Sequence, residues 1–232
     1  MIRIEDTEVT GFKAALRGMR NPKNSWDKSD TVFEIKDPVL EPIVLETPVI
    51  GPNDLKLATA LSGATDDHSK YLRFINVTCD ITAPLYWWKE MDTYKVGTVA
   101  DSCSTMHKIA EKEFTIDDFS HEHLLSDAAW ITWDDQDYSN SAIECLYDTV
   151  SILNAYRDQY LETKEKIYWW QLIQLLPSSY NQKRTWQANY QVLKRIYYAR
   201  KDHKLDEWHA FCDWILTLPY AKELFHIDDV KN

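Results

Sequence analysis

The chain predicts an α+β fold, a small mostly antiparallel sheet with a predominantly helical remainder, and three observations carry that expectation. In LRFINVTCDIT (72–82), Val77, Cys79 and Ile81 alternate with Asn76, Thr78 and Asp80, the period of a half-buried strand. Toward the C-terminus, Leu205, Trp208, Cys212 and Ile215 recur at helical spacing. No internal repeat or low-complexity segment is present, and a small sheet beside a mostly helical remainder suggests α+β. The 232 residues, 44% of them hydrophobic, suffice for one large domain spanning 1–232. It reads in three parts: an N-terminal helix with short strands (1–50), a helix–strand–helix part (53–110) and a helical part (141–217).

The elements follow from local chemistry. Val9, Phe12, Leu16 and Met19 share a helical face that Asn21-Pro22 ends. VFEI and PIVL, in a stretch with three prolines, read as short strands, at an edge where proline is tolerated. Gly51-Pro52 breaks the chain, and Asn53 caps a helix, DLKLATALS, that ends at Gly63. After the strand, Pro84 sits in the first turn of the helix LYWWKEMDTYK, which Gly97 breaks. Thr98–Thr105 reads as a polar turn, and the acidic residues 111–140 as a loop region with a short helix. Ser141 with Glu144 makes a capping box for a helix reaching about Glu162. Helices near 165–176, 184–201 and 205–217 complete the pattern.

Composition narrows function. A net charge of −11 argues against nonspecific nucleic-acid binding, which needs a basic surface, but leaves room for a small anionic nucleotide. No run approaches the ~18 apolar residues of a membrane span, and MIRIEDTEVT lacks the apolar core of a signal peptide. Four scattered cysteines without CxxC spacing fit reduced thiols in a cytoplasmic protein. His121 and His123 in DDFSHEH lack a metal-ligand spacing, and no nucleophile elbow, dinucleotide fingerprint or phosphate loop occurs.

Two stretches carry candidate chemistry. If 184–201 is one helix, Asn189 and Arg200 lie on one face about 16 Å apart along its axis, able to reach both ends of an elongated ligand. An amphipathic helix with polar ends is the plain alternative. Tyr86, Trp87, Trp88 and Tyr94 cannot share one face of their helix, so core packing, subunit contact and a ligand roof all remain open. Lys95 suits a helix C-terminus.

These two stretches together resemble flavin-dependent thymidylate synthases. In that family a strand enters an Ala-Pro helix start, and an Arg-His-Arg motif closes the helix, followed by Ser, Asn, Ser and Arg. FINVTCDITAP and YWWKEM keep that register, with Thr93, Tyr94 and Lys95 on the Arg-His-Arg positions and Thr98 on the first Ser. Asp101 and Ser104 take later places with one inserted residue. In the second stretch Pro177, Asn189 and Arg200 reproduce the family spacings of twelve and eleven residues, with His203 and Glu207 as loose counterparts of the following pair. Glu90 stands where the family has Gln, and Ile173 where it has Arg.

The resemblance implies the thymidylate synthase-complementing-protein fold and methylation of dUMP to dTMP. It implies FAD as cofactor, with NADPH and methylenetetrahydrofolate as co-substrates, in a homotetramer with neither nucleic-acid nor membrane partners. It assigns catalysis to Arg200, substrate contacts to Glu90, Ser104 and Arg200, and cofactor contacts to Lys95, Thr98, Asn189 and Arg195. The Trp-rich helix would roof the flavin. Two alternatives stand beside it: a family-fold nucleotide-binding protein with altered or no catalysis, and a helical structural protein.

Overall fold

The computed structural model describes residues 2–35, 43–133 and 136–227. β1 (Arg3–Thr10) enters α1 (Phe12–Arg20) through Gly11, which holds a left-handed φ of 92°. A Cβ there would stand 1.8 Å from the Phe74 carbonyl oxygen, so only glycine fits. The helix therefore starts at Phe12, and Val9 belongs to a strand that periodicity alone folds into the helix. Phe12, Ala15, Leu16 and Met19 form its buried stripe.

β2 (Val32–Ile35) and β3 (Ile43–Val49) pair antiparallel, matching VFEI and PIVL; Pro42 lies outside the described residues. α2 (Pro52–Ser62) is capped from a distance. The Asp30 carboxylate accepts the N–H groups of Asn53 and Asp54 at 2.8 and 3.0 Å, so Asn53 is not the cap. A one-turn α3 (Asp66–Ser69) leads into a 3₁₀ turn, Lys70–Phe74, which buries Tyr71 and Leu72. The strand expected from Leu72 thus begins four residues later, as β4 (Asn76–Pro84), with Val77, Cys79, Ile81 and Ala83 buried in alternation.

Pro84 is the extended cap of α4 (Leu85–Met91), which ends at Asp92, earlier than the expected Lys95. The expected polar turn is β5 (Thr98–Ser102) followed by α5 (Thr105–Lys108). Within 111–140, read as loop, β6 (Ala129–Trp133) and β7 (Gln136–Asn140) pair antiparallel. α6 (Ala142–Thr163) opens on the Ser141/Glu144 capping box, and α7 (Lys166–Leu175) follows. Residues 184–189, read as helix, are instead the end of β8 (Asn181–Asn189); α8 (Tyr190–Arg200), α9 (Asp206–Thr217) and α10 (Ala221–Phe225) complete the chain. One sheet has the order β1–β4–β8–β5, and β2–β3 and β6–β7 are two-stranded. Helices with small sheets make the architecture α+β, the class read from the sequence.

The chain forms two compact units: 1–3, 82–93 and 101–184 in one, and 4–81, 94–100 and 185–232 in the other. The first packs α6 and α7 around Phe114, Phe119, Leu153 and Leu172. Asn154 acts as a strut there, donating to the Phe114 carbonyl and accepting its N–H, both at 2.8 Å. The second buries Leu72, Ile75, Tyr190, Leu193, Ile196, Trp208, Phe211 and Phe225. Each large apolar side chain so buried contributes roughly 1.5–3 kcal/mol. No helix among the described residues is long and apolar enough to cross a membrane.

Candidate functional site

The site-bearing residues of the second unit gather around the two ends of α8. At its start, β8 delivers Asn189 in an extended conformation, φ −98° and ψ 164°. The Asn189 side-chain oxygen accepts the Val192 N–H at 3.1 Å, a helix N-cap. Asn189 is therefore not a member of the helix that holds Arg200, and the shared-face construction drawn from the sequence does not apply. The cap fixes the carboxamide with its oxygen on the helix and its NH2 outward.

That NH2 faces a cavity of about 590 Å³. Its wall includes the first turn of α8, the positive end of the helix dipole, although the Tyr190 and Val192 N–H groups are already bonded to the Ile75 carbonyl and the Asn189 side chain. Arg73, Lys194 and Arg195 line it against a single carboxylate, Asp66, so positive charge is in excess by two in a chain of net −11. Lys194 donates to the Ser62 carbonyl at 2.7 Å. Burial lowers its ammonium pKa, an effect that Asp66 partly opposes. Arg73 donates to the Gln191 side-chain oxygen, which positions both at the rim. Val96 and Gly97 supply an apolar, close-fitting side.

Gly97 is required here. Its φ is 83°, and an added Cβ would lie 3.0 Å from the Val192 side chain and 3.1 Å from the Asn189 NH2. Gly97→Ala is expected to lower stability by about 1–2 kcal/mol through the left-handed backbone alone. The check is the urea midpoint; an unchanged value would mean that the segment relaxes without strain.

At the far end of α8, Arg200 donates from Nε to the Tyr94 hydroxyl at 2.8 Å. Its guanidinium carbon stands 4.6 Å from the Trp208 ring centre and 5.5 Å from that of Tyr94. Tyr94 itself packs edge-on to Trp208. Arg200 is not among the residues lining the Asn189 cavity; it occupies an aromatic cradle of its own. The segment 94–98 touches both places: Tyr94 meets Arg200, and Gly97 meets Asn189. The Thr98 hydroxyl donates to the Tyr94 carbonyl and closes that segment into a turn. Lys95 is exposed on it and does not line the cavity, while Arg195, also exposed, does.

Glu90 and Ser104 lie in the other unit. Glu90 is half-buried on α4, and its carbonyl accepts the Thr93 hydroxyl at 2.7 Å. Ser104 caps α5, accepting the His107 N–H at 3.2 Å, with its hydroxyl 2.8 Å from His107 Nδ1. Trp87 and Trp88 are fully buried, and the Trp88 indole donates to the Gln182 carbonyl at 2.9 Å. The tryptophans read as a ligand roof are thus core. Ile173 packs against the apolar cluster of the same unit. His121 Nδ1 sits 2.8 Å from the Phe119 carbonyl, and no group of His, Cys, Asp and Glu suited to a metal occurs among the described residues.

Sequence reasoning passed over Arg73, Ser62 and Lys194. Arg73 lies in a 3₁₀ turn that the strand pattern absorbed, and Lys194 looks like an ordinary helix-surface lysine until its environment is known.

No family model matches the sequence, and no curated protein matches it either. Solved structures do. Thymidylate synthase X from Helicobacter pylori, with FAD and dUMP, matches with a TM-score of 0.64 at 16% identity over 100% of both chains. A further structure of that organism's flavin-dependent enzyme, also with FAD and dUMP, gives 0.63 at 17% over 96% of this chain and 97% of the other. The UMP/dUMP methylase PolB from Streptomyces cacaoi, bound to 5-Br dUMP, gives 0.61 at 12% over 97% and 95%. The fold is therefore the one these flavin-dependent thymidylate synthases and this methylase share.

Proposed function

We propose that the chain is a flavin-dependent thymidylate synthase-like enzyme that methylates dUMP to dTMP, with FAD, a methylenetetrahydrofolate carbon donor and NADPH as reductant. The observation that carries this reading is the cationic cavity at the start of α8, in a fold shared end to end with proteins crystallised with FAD and dUMP. The residues fit the cofactor's chemistry. A helix N-terminus with Arg73, Lys194 and Arg195 suits a diphosphate, and the Asn189 NH2 offers hydrogen bonds to a polar ring edge. When bound, a reduced flavin supplies the hydride.

The chain's own part is binding and orientation. Asn189 is held by its cap and cannot swing away without exposing the Val192 N–H. Lys194, tethered to Ser62, presents a partly desolvated cation that an anion would stabilise. Gly97 brings backbone to the cavity edge where a side chain would block it. Arg200, fixed between Tyr94 and Trp208, is assigned the nucleotide and the polarisation of its base, with Glu90 and Ser104 as further substrate contacts. Lys95 and Thr98 complete the cofactor set, and the working form is a homotetramer in the cytoplasm.

A second reading is favoured by one observation: the motif positions hold Thr93, Tyr94 and Lys95, and Tyr94 engages Arg200 directly. On that reading the fold binds nucleotide without this catalysis. One experiment separates the two. Purified protein is expected to carry, or take up, a yellow flavin with absorbance near that of free FAD, and to rescue a thymidine-requiring bacterial strain. Flavin uptake without rescue supports the binding-only reading, and a colourless protein that takes up no added FAD overturns both flavin proposals.

A further inference from the structure

A second cavity, of about 580 Å³, lies wholly within the first unit at the junction of α6 and α7. Its floor is Ile109 and Ala110, both buried, and its walls are Tyr160 and Trp169. The Trp169 indole donates to the Met106 carbonyl at 3.1 Å, which fixes that ring as a wall. His107 faces the cavity with its Nδ1 engaged by Ser104, leaving Nε2 as the other ring nitrogen that can bond. Two cations, Lys164 and Lys166, complete the rim.

Both lysines stand where local physics disfavours them. Lys164 caps α6 in the left-handed region at φ 61°, a place for glycine. Five described residues other than glycine have positive φ; Asp6, Asn24 and His226 are types that tolerate it, whereas Lys164 and Tyr220 are not. Tyr220 has a structural reason, since its hydroxyl accepts the Ile50 N–H and donates to the Pro48 carbonyl, both at 3.0 Å. The Lys164 ammonium instead lies 5.8 Å from the Tyr160 ring centre, at the cavity. Lys166 is the first residue of α7, where the helix dipole repels a cation. Its ammonium lies 5.4 Å from the Trp170 ring centre. The left-handed backbone at Lys164 and the helix N-terminus at Lys166 each carry a local cost, which cation–π contacts and, at Lys164, the helix C-terminus offset in some measure, and both lysines line the one cavity.

We propose that this cavity binds a small aromatic phosphate: a flat ring between Tyr160 and Trp169, and a dianionic group on Lys164, Lys166 and His107. The proposal shares no lining residue with the Asn189 cavity, although Ser104, which engages His107, is also a substrate contact in the proposed function. The test is calorimetric titration of the full chain with phenyl phosphate, expected to bind with Kd on the order of 1 mM, as suits a fragment of that size. Lys164→Gly is expected to raise Tm yet weaken binding at least about fivefold, and Lys166→Gln to weaken it similarly. Arg195→Ala is expected to leave phenyl phosphate affinity unchanged. Unchanged affinity in the double lysine variant, inorganic phosphate binding as tightly as phenyl phosphate, or loss of binding in Arg195→Ala would each overturn the proposal.

Discussion

Asp54→Ala is expected to destabilise the protein by about 3–5 kcal/mol, the cost of leaving one partner of a buried ion pair alone. Arg20 Nε and the Asp54 carboxylate meet at 2.6 Å, with side-chain exposures of 4% and 0%. The second carboxylate oxygen accepts four more hydrogen bonds: the hydroxyls of Ser29 and Thr31 at 2.7 and 2.6 Å, and the N–H groups of Asp30 and Thr31 at 3.2 Å. Arg20 in turn donates to the carbonyls of Ser25 and Lys28. One carboxylate thus ties α1, the loop 25–31 and the first turn of α2 together. The loss corresponds to a fall in Tm of about 6–20 °C for a chain of this size. Arg20→Met with Asp54→Leu should recover part of it, because no buried charge is then left unpaired. A single variant that melts within 2 °C of the parent would show that water replaces the lost partner.

The same residue sets an acid limit. Burial alone would raise the Asp54 pKa, but the hydrogen bonds from Thr31, Ser29 and Arg20, with the Arg20 charge, outweigh it and hold the carboxyl below its ordinary 3.8. The folded value is lower than the unfolded one, so this contribution is fully present above pH 3.8 and is lost as the pH falls through the folded value. Asp54→Asn should flatten the stability profile in that acid range and leave its slope near neutrality unchanged.

What could be read from the sequence, and what could not, follows from the range of the interactions involved. The capping box at Ser141, the alternation of β4 and the periodicity of α9 are local signals, and all three elements are present. Asp54 reads as a helix-surface acid until Arg20, 34 residues away in sequence, is placed beside it. β8 went unread because Lys183, Arg184, Gln187 and Ala188 are helix formers, although Gln182, Trp186 and Ala188 are buried at even spacing. Tertiary pairing overrode propensity there, and moved Asn189 from a helix interior to its cap. The spacing from Pro177 through Asn189 to Arg200 was legible; that Asn189 and Arg200 occupy separate surroundings was not. Linear spacing fixes distance along a chain, whereas the strand-to-helix break at 189 fixes direction. The cavity's Arg73 and Lys194 carry no motif at all, because their charge acquires meaning only beside the first turn of α8.

Arg200→Ala is expected to weaken dUMP binding about 10- to 150-fold, the loss of one charge-assisted hydrogen bond of roughly 1.5–3 kcal/mol, with little change in Tm. The expectation rests on how the residue is held. Nε is bonded to Tyr94, and the Trp208 ring lies under the guanidinium, so the plane of the fork is set before any ligand arrives. A pre-set fork loses less side-chain entropy on binding than a mobile one. Arg200→Lys keeps the charge but loses the planar fork and its stacking, so it should restore only a small part of the affinity. Tyr94→Phe removes the acceptor that orients Nε, and should weaken binding less than Arg200→Ala while leaving the charge in place. The contrary pattern is equally definite. If Arg200→Ala lowers Tm by several degrees and dUMP affinity stays at the parent value, the arginine serves only to pack Tyr94 against Trp208, and the cradle is a structural clasp. The double variant decides between shared and separate roles: coupling in affinity places Tyr94 and Arg200 in one binding device, whereas coupling in Tm alone assigns the pair to the fold.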